Sequence, residues 1–137
     1  MYHTIMVPVD LQHADKLEKA LATGADLAKF YGAAIHMVGV TASEPSSVAH
    51  NPSEFARKFQ AFADEQSAKR GVSFIAREIT SHDPTIDLDE HLDKAADEIG
   101  ADLIVMASHI PGIADYIFSS RAGFLASHTD KSVFVVR

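Results

Sequence analysis

The chain has 137 residues, of which 47% are apolar, 23% charged and none cysteine. That balance fits a single globular domain, residues 1–137, burying about two thirds of its unfolded surface. The lack of cysteine excludes disulfide scaffolds, thiol catalysis, iron–sulfur clusters and Cys-based zinc sites. Twelve basic residues against 19 acidic ones leave a net charge of −7, the wrong sign for a nucleic-acid binder.

No apolar run approaches the ~18 residues of a membrane helix, and residues 1–15 carry no signal-peptide pattern. A cytoplasmic protein with no membrane or nucleic-acid partner is therefore expected.

Strand-like and helix-like segments alternate. Thr4-Ile5-Met6-Val7-Pro8-Val9 is apolar on both faces, as a buried parallel strand is. From Ala14 to Tyr31 the period changes. Leu17, Leu21, Gly24, Leu27, Ala28 and Tyr31 recur at three- and four-residue steps, which predicts an amphipathic helix with Gly32 as its C-terminal cap. Ala34–Val40 is the second strand and residues 41–52 are a loop by composition.

Asn51-Pro52-Ser53-Glu54 is a helix start: a side-chain cap, proline at the first helical position and an acid in the first turn. Phe55, Phe59, Phe62 and Gln66 then share one face, and such a stripe reads first as core. That helix ends near Arg70-Gly71. Val72–Ile79 mixes polar residues into a strand, which suits an edge. Thr80–Thr85 reads as a turn, and Leu88, Leu92, Ala95, Ala96 and Ile99 form a third helical face stopped by Gly100.

Leu103–Ala107 is the most apolar run and is expected at the sheet centre. Ser108–Gly112 is a loop, a helix holds Tyr116, Ile117, Phe124 and Leu125, and Ser132–Val136 is the last strand.

This β-α-β-α-β-α-β-α-β order predicts an α/β fold with a five-stranded, doubly wound parallel sheet. With the usual strand order 3-2-1-4-5, a ligand crevice opens where the order reverses. It lies between the strand ending at Val9-Asp10 and the one ending at Met106-Ala107.

Several catalytic patterns are absent. There is no P-loop, no G-x-G-x-x-G after the first strand and no G-x-S-x-G elbow. The clustered acids of a two-component receiver are missing too. The eight histidines form no H-x-x-x-H pair, so no metal site is assigned. Ser108 and His109 are neighbours on a strand exit and point apart, so no nucleophile pair and no catalytic residue is assigned.

Two places remain. Asp10 either caps the following helix or faces the crevice as an acceptor for a ribose or adenine edge. Around the fourth strand, the small residues Ala107 and Ser108 leave room for a ligand beside the backbone. Ser119 and Ser120 fall near the start of the last helix, where free N–H groups attract phosphate or where the serines simply cap. Arg121 adds a cation.

At this point the sequence resembles the universal stress protein family over nearly its whole length. Ile5–Asp10 resembles "ILVPVD" and Ser132–Arg137 resembles "PVLVVR", with Ala101–His109 between them. The segment A-S-H-x-P-x-I-x-x-Y, Ala107–Tyr116, resembles the F/G branch.

The resemblance implies the Rossmann-like fold called adenine-nucleotide alpha-hydrolase-like. It also implies a site for ATP or AMP built on G-x2-G-x9-G-[ST], with Mg²⁺ left unassigned. Here Ala107 and Ile110 replace the first two glycines, and Ser119-Ser120 stands at the final pair. The Cβ added at Ser119 costs ~1 kcal/mol where a positive φ is needed, and more against a phosphate, whereas Ala107 is the ordinary residue of the F/G branch and counts less against binding. By the resemblance, adenine and ribose meet Pro8, Val9, Asp10, Val40 and Met106, and the phosphates meet Ser108, His109, Ser119, Ser120 and Arg121. It also implies a homodimer through the last strand, Ser132, Val133, Phe134, Val135 and Val136, an apolar edge that pairing would cover.

Three functions follow: a nucleotide-binding stress regulator; a nucleotide-free dimeric module acting through partners or phosphorylation; and a weak ATPase, which the lack of a positioned base disfavours.

Overall fold

A computed structural model describes residues 1–42, 45, 48–81, 84–107 and 121–137. Five strands, β1 (Thr4–Val9), β2 (Ala34–Ala42), β3 (Phe74–Ser81), β4 (Leu103–Ala107) and β5 (Ser132–Val136), alternate with four helices. These are α1 (Glu18–Tyr31), α2 (Pro52–Arg70), α3 (Pro84–Ile99) and α4 (Arg121–His128). The strands pair in parallel in the predicted order β3-β2-β1-β4-β5. β4 is buried throughout and β1 from Ile5 onward, because helices cover both faces of the sheet centre. β3 is an edge strand, exposed at Ile75 and Glu78.

The faces can be read from two glycines. A Cβ on Gly24 of α1 would meet Val7 and Ile35, and a Cβ on Gly39 would meet Phe55 and Phe59 of α2. Val7, Ile35 and Gly39 therefore face α1 and α2. Since side chains alternate along a strand, Pro8, Val40 and Met106 turn to the opposite face. There α3 is tied to the sheet by the Arg77–Glu98 ion pair, and the residue after α4, Thr129, bonds Asp93 of α3 at 3.3 Å.

The helix ends follow their local chemistry. Asn51 Oδ1 accepts the Glu54 N–H at 2.8 Å, and Glu54 reaches back to the His50 N–H, also at 2.8 Å. Together they close a reciprocal cap. Gly32, Gly71 and Gly100 all take the left-handed conformation, at φ of 63°, 68° and 68°, which stops α1, α2 and α3 cheaply. Phe55, Phe59 and Gln66 of the predicted stripe are buried and Phe62 is half-buried. The first two rings stack with centroids 5.5 Å apart.

Several boundaries differ from the sequence reading, among them the start of α3 at Pro84, inside the Thr80–Thr85 stretch read as a turn. Ala14 does not open a helix: Leu11–Lys16 is a 3₁₀ turn, and α1 starts only at Glu18. The turn is held by i→i+3 bonds from His13 N to Asp10 O (3.0 Å) and Leu17 N to Ala14 O (3.1 Å). The third strand begins at Phe74, not Val72, and takes in Thr80 and Ser81, because these pair with Thr41 and Ala42 of a β2 two residues longer than predicted. The last helix begins at Arg121, and Tyr116 and Ile117 lie outside the described residues.

Candidate functional site

β1 aligns with β2 over its full length, Thr4–Val9 against Ala34–Gly39. On its other side it pairs with β4 only at Ile5–Leu103 and Met6–Ile104. No further pair follows, since Pro8 has no N–H to donate to β4, and the strand order reverses between these two strands. A crevice at such a point is the usual ligand position in an open α/β sheet.

Carrying the register onward sets Pro8 opposite Met106 and Val9 opposite Ala107. Pro8 and Met106 share the α3 face, and Val40, one residue past the Val9–Gly39 pair, joins them there. Val9 and Ala107 turn toward α1. Pro8, Val9, Met106 and Ala107 are buried, whereas Val40 is half-buried. The carboxyl ends of β1 and β4 are thus apolar and closely packed.

Ala107 stands where the motif has a glycine. Among the described residues no non-glycine has a positive φ, so the Cβ of Ala107 introduces no backbone strain. Ser108, His109, Ser119 and Ser120 lie outside the described residues, and Arg121 is placed as the first residue of α4. The described residues of the expected site are therefore the ones that the resemblance assigns to base and ribose.

Asp10 ends β1 at the rim. Its backbone is extended, and Oδ1 accepts the Gln12 N–H at 3.1 Å, capping the 3₁₀ turn. Its Oδ2 lies 3.0 Å from His13 Nδ1. The side chains of this pair are 11% and 14% exposed. The structure thus shows Asp10 in its capping role, at the carboxyl end of β1. His13 was read in the sequence only as one of eight histidines. The signal that finds it is D-x-x-H directly after a strand, a spacing that brings i and i+3 together in a 3₁₀ turn.

β5 is the other sheet edge. Ser132 is exposed and Val133 half-buried, Phe134 and Val135 keep 46% and 37% of their surface exposed, and Val136 is buried.

The sequence matches the universal stress protein family over residues 1–137. Universal stress protein G of Escherichia coli O157:H7 is 27% identical over 143 residues, covering 100% of both chains. A solved universal stress protein in complex with cAMP superposes with a TM-score of 0.70 at 17% identity, covering 99% of this chain and 97% of that one. The universal stress protein of Archaeoglobus fulgidus in complex with dAMP gives 0.70 at 21% identity, covering 99% and 98%. At such identities the two solved structures establish likeness of fold.

Proposed function

The chain belongs to the universal stress protein family, and from that premise we propose that it binds an adenine nucleotide, AMP or ATP, in the crevice between β1 and β4. The observation that supports this reading is the reversal of strand order between β1 and β4, with the Asp10 carboxylate directly after β1. The solved proteins of the same fold in complex with cAMP and dAMP support it. In this reading Pro8, Val40 and Met106 pack against the base and Asp10 accepts from the base or ribose. Val9 and Ala107 support the floor from the α1 side. Ser108, His109, Ser119, Ser120 and Arg121 serve the phosphates. The role is one of binding rather than turnover, and it is exercised in a stress response.

We also propose that β5 pairs with its counterpart in a second copy. Its support is the exposed Phe134 and Val135 on an edge strand, a surface that invites strand pairing.

Native mass spectrometry of the purified chain, with a thermal melt in AMP and in ATP, tests both statements. Ligand at 100 times its dissociation constant adds about 2.7 kcal/mol of stability. A dimer mass and a raised Tm are expected. No shift at millimolar AMP or ATP, with no retained nucleotide, rejects the binding reading. It then favours the nucleotide-free module, to which the replaced motif glycines at 107, 110 and 119 point.

A further inference from the structure

We propose that His13 is a positioning residue for nucleotide recognition, fixing the Asp10 carboxylate in the orientation that meets the ligand. This rests on the nucleotide reading above.

Capping the 3₁₀ turn requires only one carboxylate oxygen, and Oδ1 supplies it by accepting from Gln12 N. The second oxygen is engaged separately, at 3.0 Å from His13 Nδ1. The backbone departs from regular geometry at that same residue. His13 sits at φ −119°, ψ 26° inside the turn, which marks it as the point where the chain bends. Its own N–H also donates to Asp10 O at 3.0 Å. Asp10 and His13 therefore close on each other twice, once through backbone and once through side chains.

The proton bookkeeping is simple. A carboxylate oxygen can only accept, so Nδ1 carries the hydrogen in this contact. With Gln12 N on one oxygen and His13 on the other, the carboxylate plane is fixed at the exit of β1. Pre-set groups lose less freedom on binding and so bind more tightly.

Isothermal titration of the full chain with AMP tests this in the wild type, His13→Ala, His13→Asn, Asp10→Ala and the Asp10→Ala/His13→Ala double variant. Asn carries a donor at the same δ position as the imidazole. His13→Ala is expected to weaken AMP by about 3- to 10-fold, the size of an immobilised side chain's contribution, and His13→Asn to restore it to within about twofold. In the Asp10→Ala background His13→Ala is expected to change nothing further.

Ring ¹⁵N shifts of His13, recorded without nucleotide, are expected to show a protonated Nδ1 that responds to Asp10→Ala. Wild-type affinity in His13→Ala, failure of Asn to rescue, or an undiminished His13 effect without Asp10 would each overturn the proposal. A wild type that binds no AMP while the ring shifts show the pairing instead brings down the nucleotide reading, and this role of His13 with it.

Discussion

Gly39→Ala is the substitution whose outcome the packing fixes most sharply. Gly39 pairs with Val9 at the end of β1, and its added Cβ would lie 2.9 Å from two ring carbons of Phe59 and 3.1 Å from Phe55. The rings have little room to yield. Phe59 is fully buried and stacked on Phe55. The far end of α2 is pinned to β3 by the Phe74 N–H donating to Ser67 Oγ at 2.9 Å. It is tied to α1 by Lys69 and Arg70 on Glu18.

Two effects then compete in Gly39→Ala. Losing glycine's freedom in the unfolded chain stabilises by about 0.4–1 kcal/mol, whereas overpacking a tight core costs about 1–3 kcal/mol. Overpacking wins, and a net loss of about 1–2 kcal/mol is expected, lowering Tm by roughly 4–8 °C for a chain of this size. Urea unfolding measures it, with an unchanged m-value. Phe59→Leu should relieve the clash, so the double variant should be more stable than the sum of the singles by about 1 kcal/mol. A Gly39→Ala protein as stable as the wild type would refute the claim that α2 is held rigidly against β2.

Other substitutions separate strong contacts from weak ones. The Asp102 carboxylate accepts the backbone N–H groups of His3 and Thr4 at 2.9 and 3.0 Å. Partial burial raises its pKa, but those bonds outweigh it and hold the group below the ordinary aspartate value. Asp102→Ala should therefore cost about 1–2 kcal/mol at pH 7, and the deficit should shrink in urea melts as pH falls below about 3.9, where the wild type loses the same bonds.

Burial, and then the Arg77 cation, lowers the pKa of His36. The unfolded chain thus binds a proton that the fold resists, so wild-type stability should fall as pH drops below about 6.5. His36→Gln should flatten that slope. Glu18, an exposed partner of Lys69 and Arg70, should behave differently: Glu18→Gln should shift Tm by no more than a degree or two, less in high salt. Phe134→Glu on the β5 edge should abolish the proposed dimer in native mass spectrometry while leaving the fold's circular dichroism unchanged.

What could be read along the chain was whatever local chemistry decides. β4 and β5 match their predicted limits because a continuous apolar run flanked by polar residues has one reading. α2 matches because Asn51, Pro52 and Gly71 mark its ends. The errors fall where a distant partner decides. Thr80 and Ser81 look like turn residues, but β2 continues alongside them, and backbone pairing with Thr41 and Ala42 overrides their preference. Ala14–Lys16 runs into the apolar spacing of Leu17 and Leu21 and so passes for the start of α1. Only the i→i+3 bonding after Asp10 shows that the first turn is wound more tightly.

The candidate site was legible for a different reason: its position follows from topology, not from its residues. Once the alternation of elements fixes a parallel sheet, and the order 3-2-1-4-5 places β1 beside β4, the point of reversal lies between the carboxyl ends of those strands. That position holds whichever side chains stand there. Asp10 was found because it is the first polar residue after a buried strand. His13 was not, because its importance is relational. A histidine three residues past an aspartate is unremarkable in a helix, where i,i+3 side chains on a solvated surface contribute little. In a 3₁₀ turn at the mouth of a crevice the same spacing closes a partly buried ring around the only carboxylate that the end of β1 supplies. Read from the sequence alone, the helix begins at Ala14, just past His13, and the 3₁₀ geometry of Leu11–Lys16 is what brings His13 back onto Asp10.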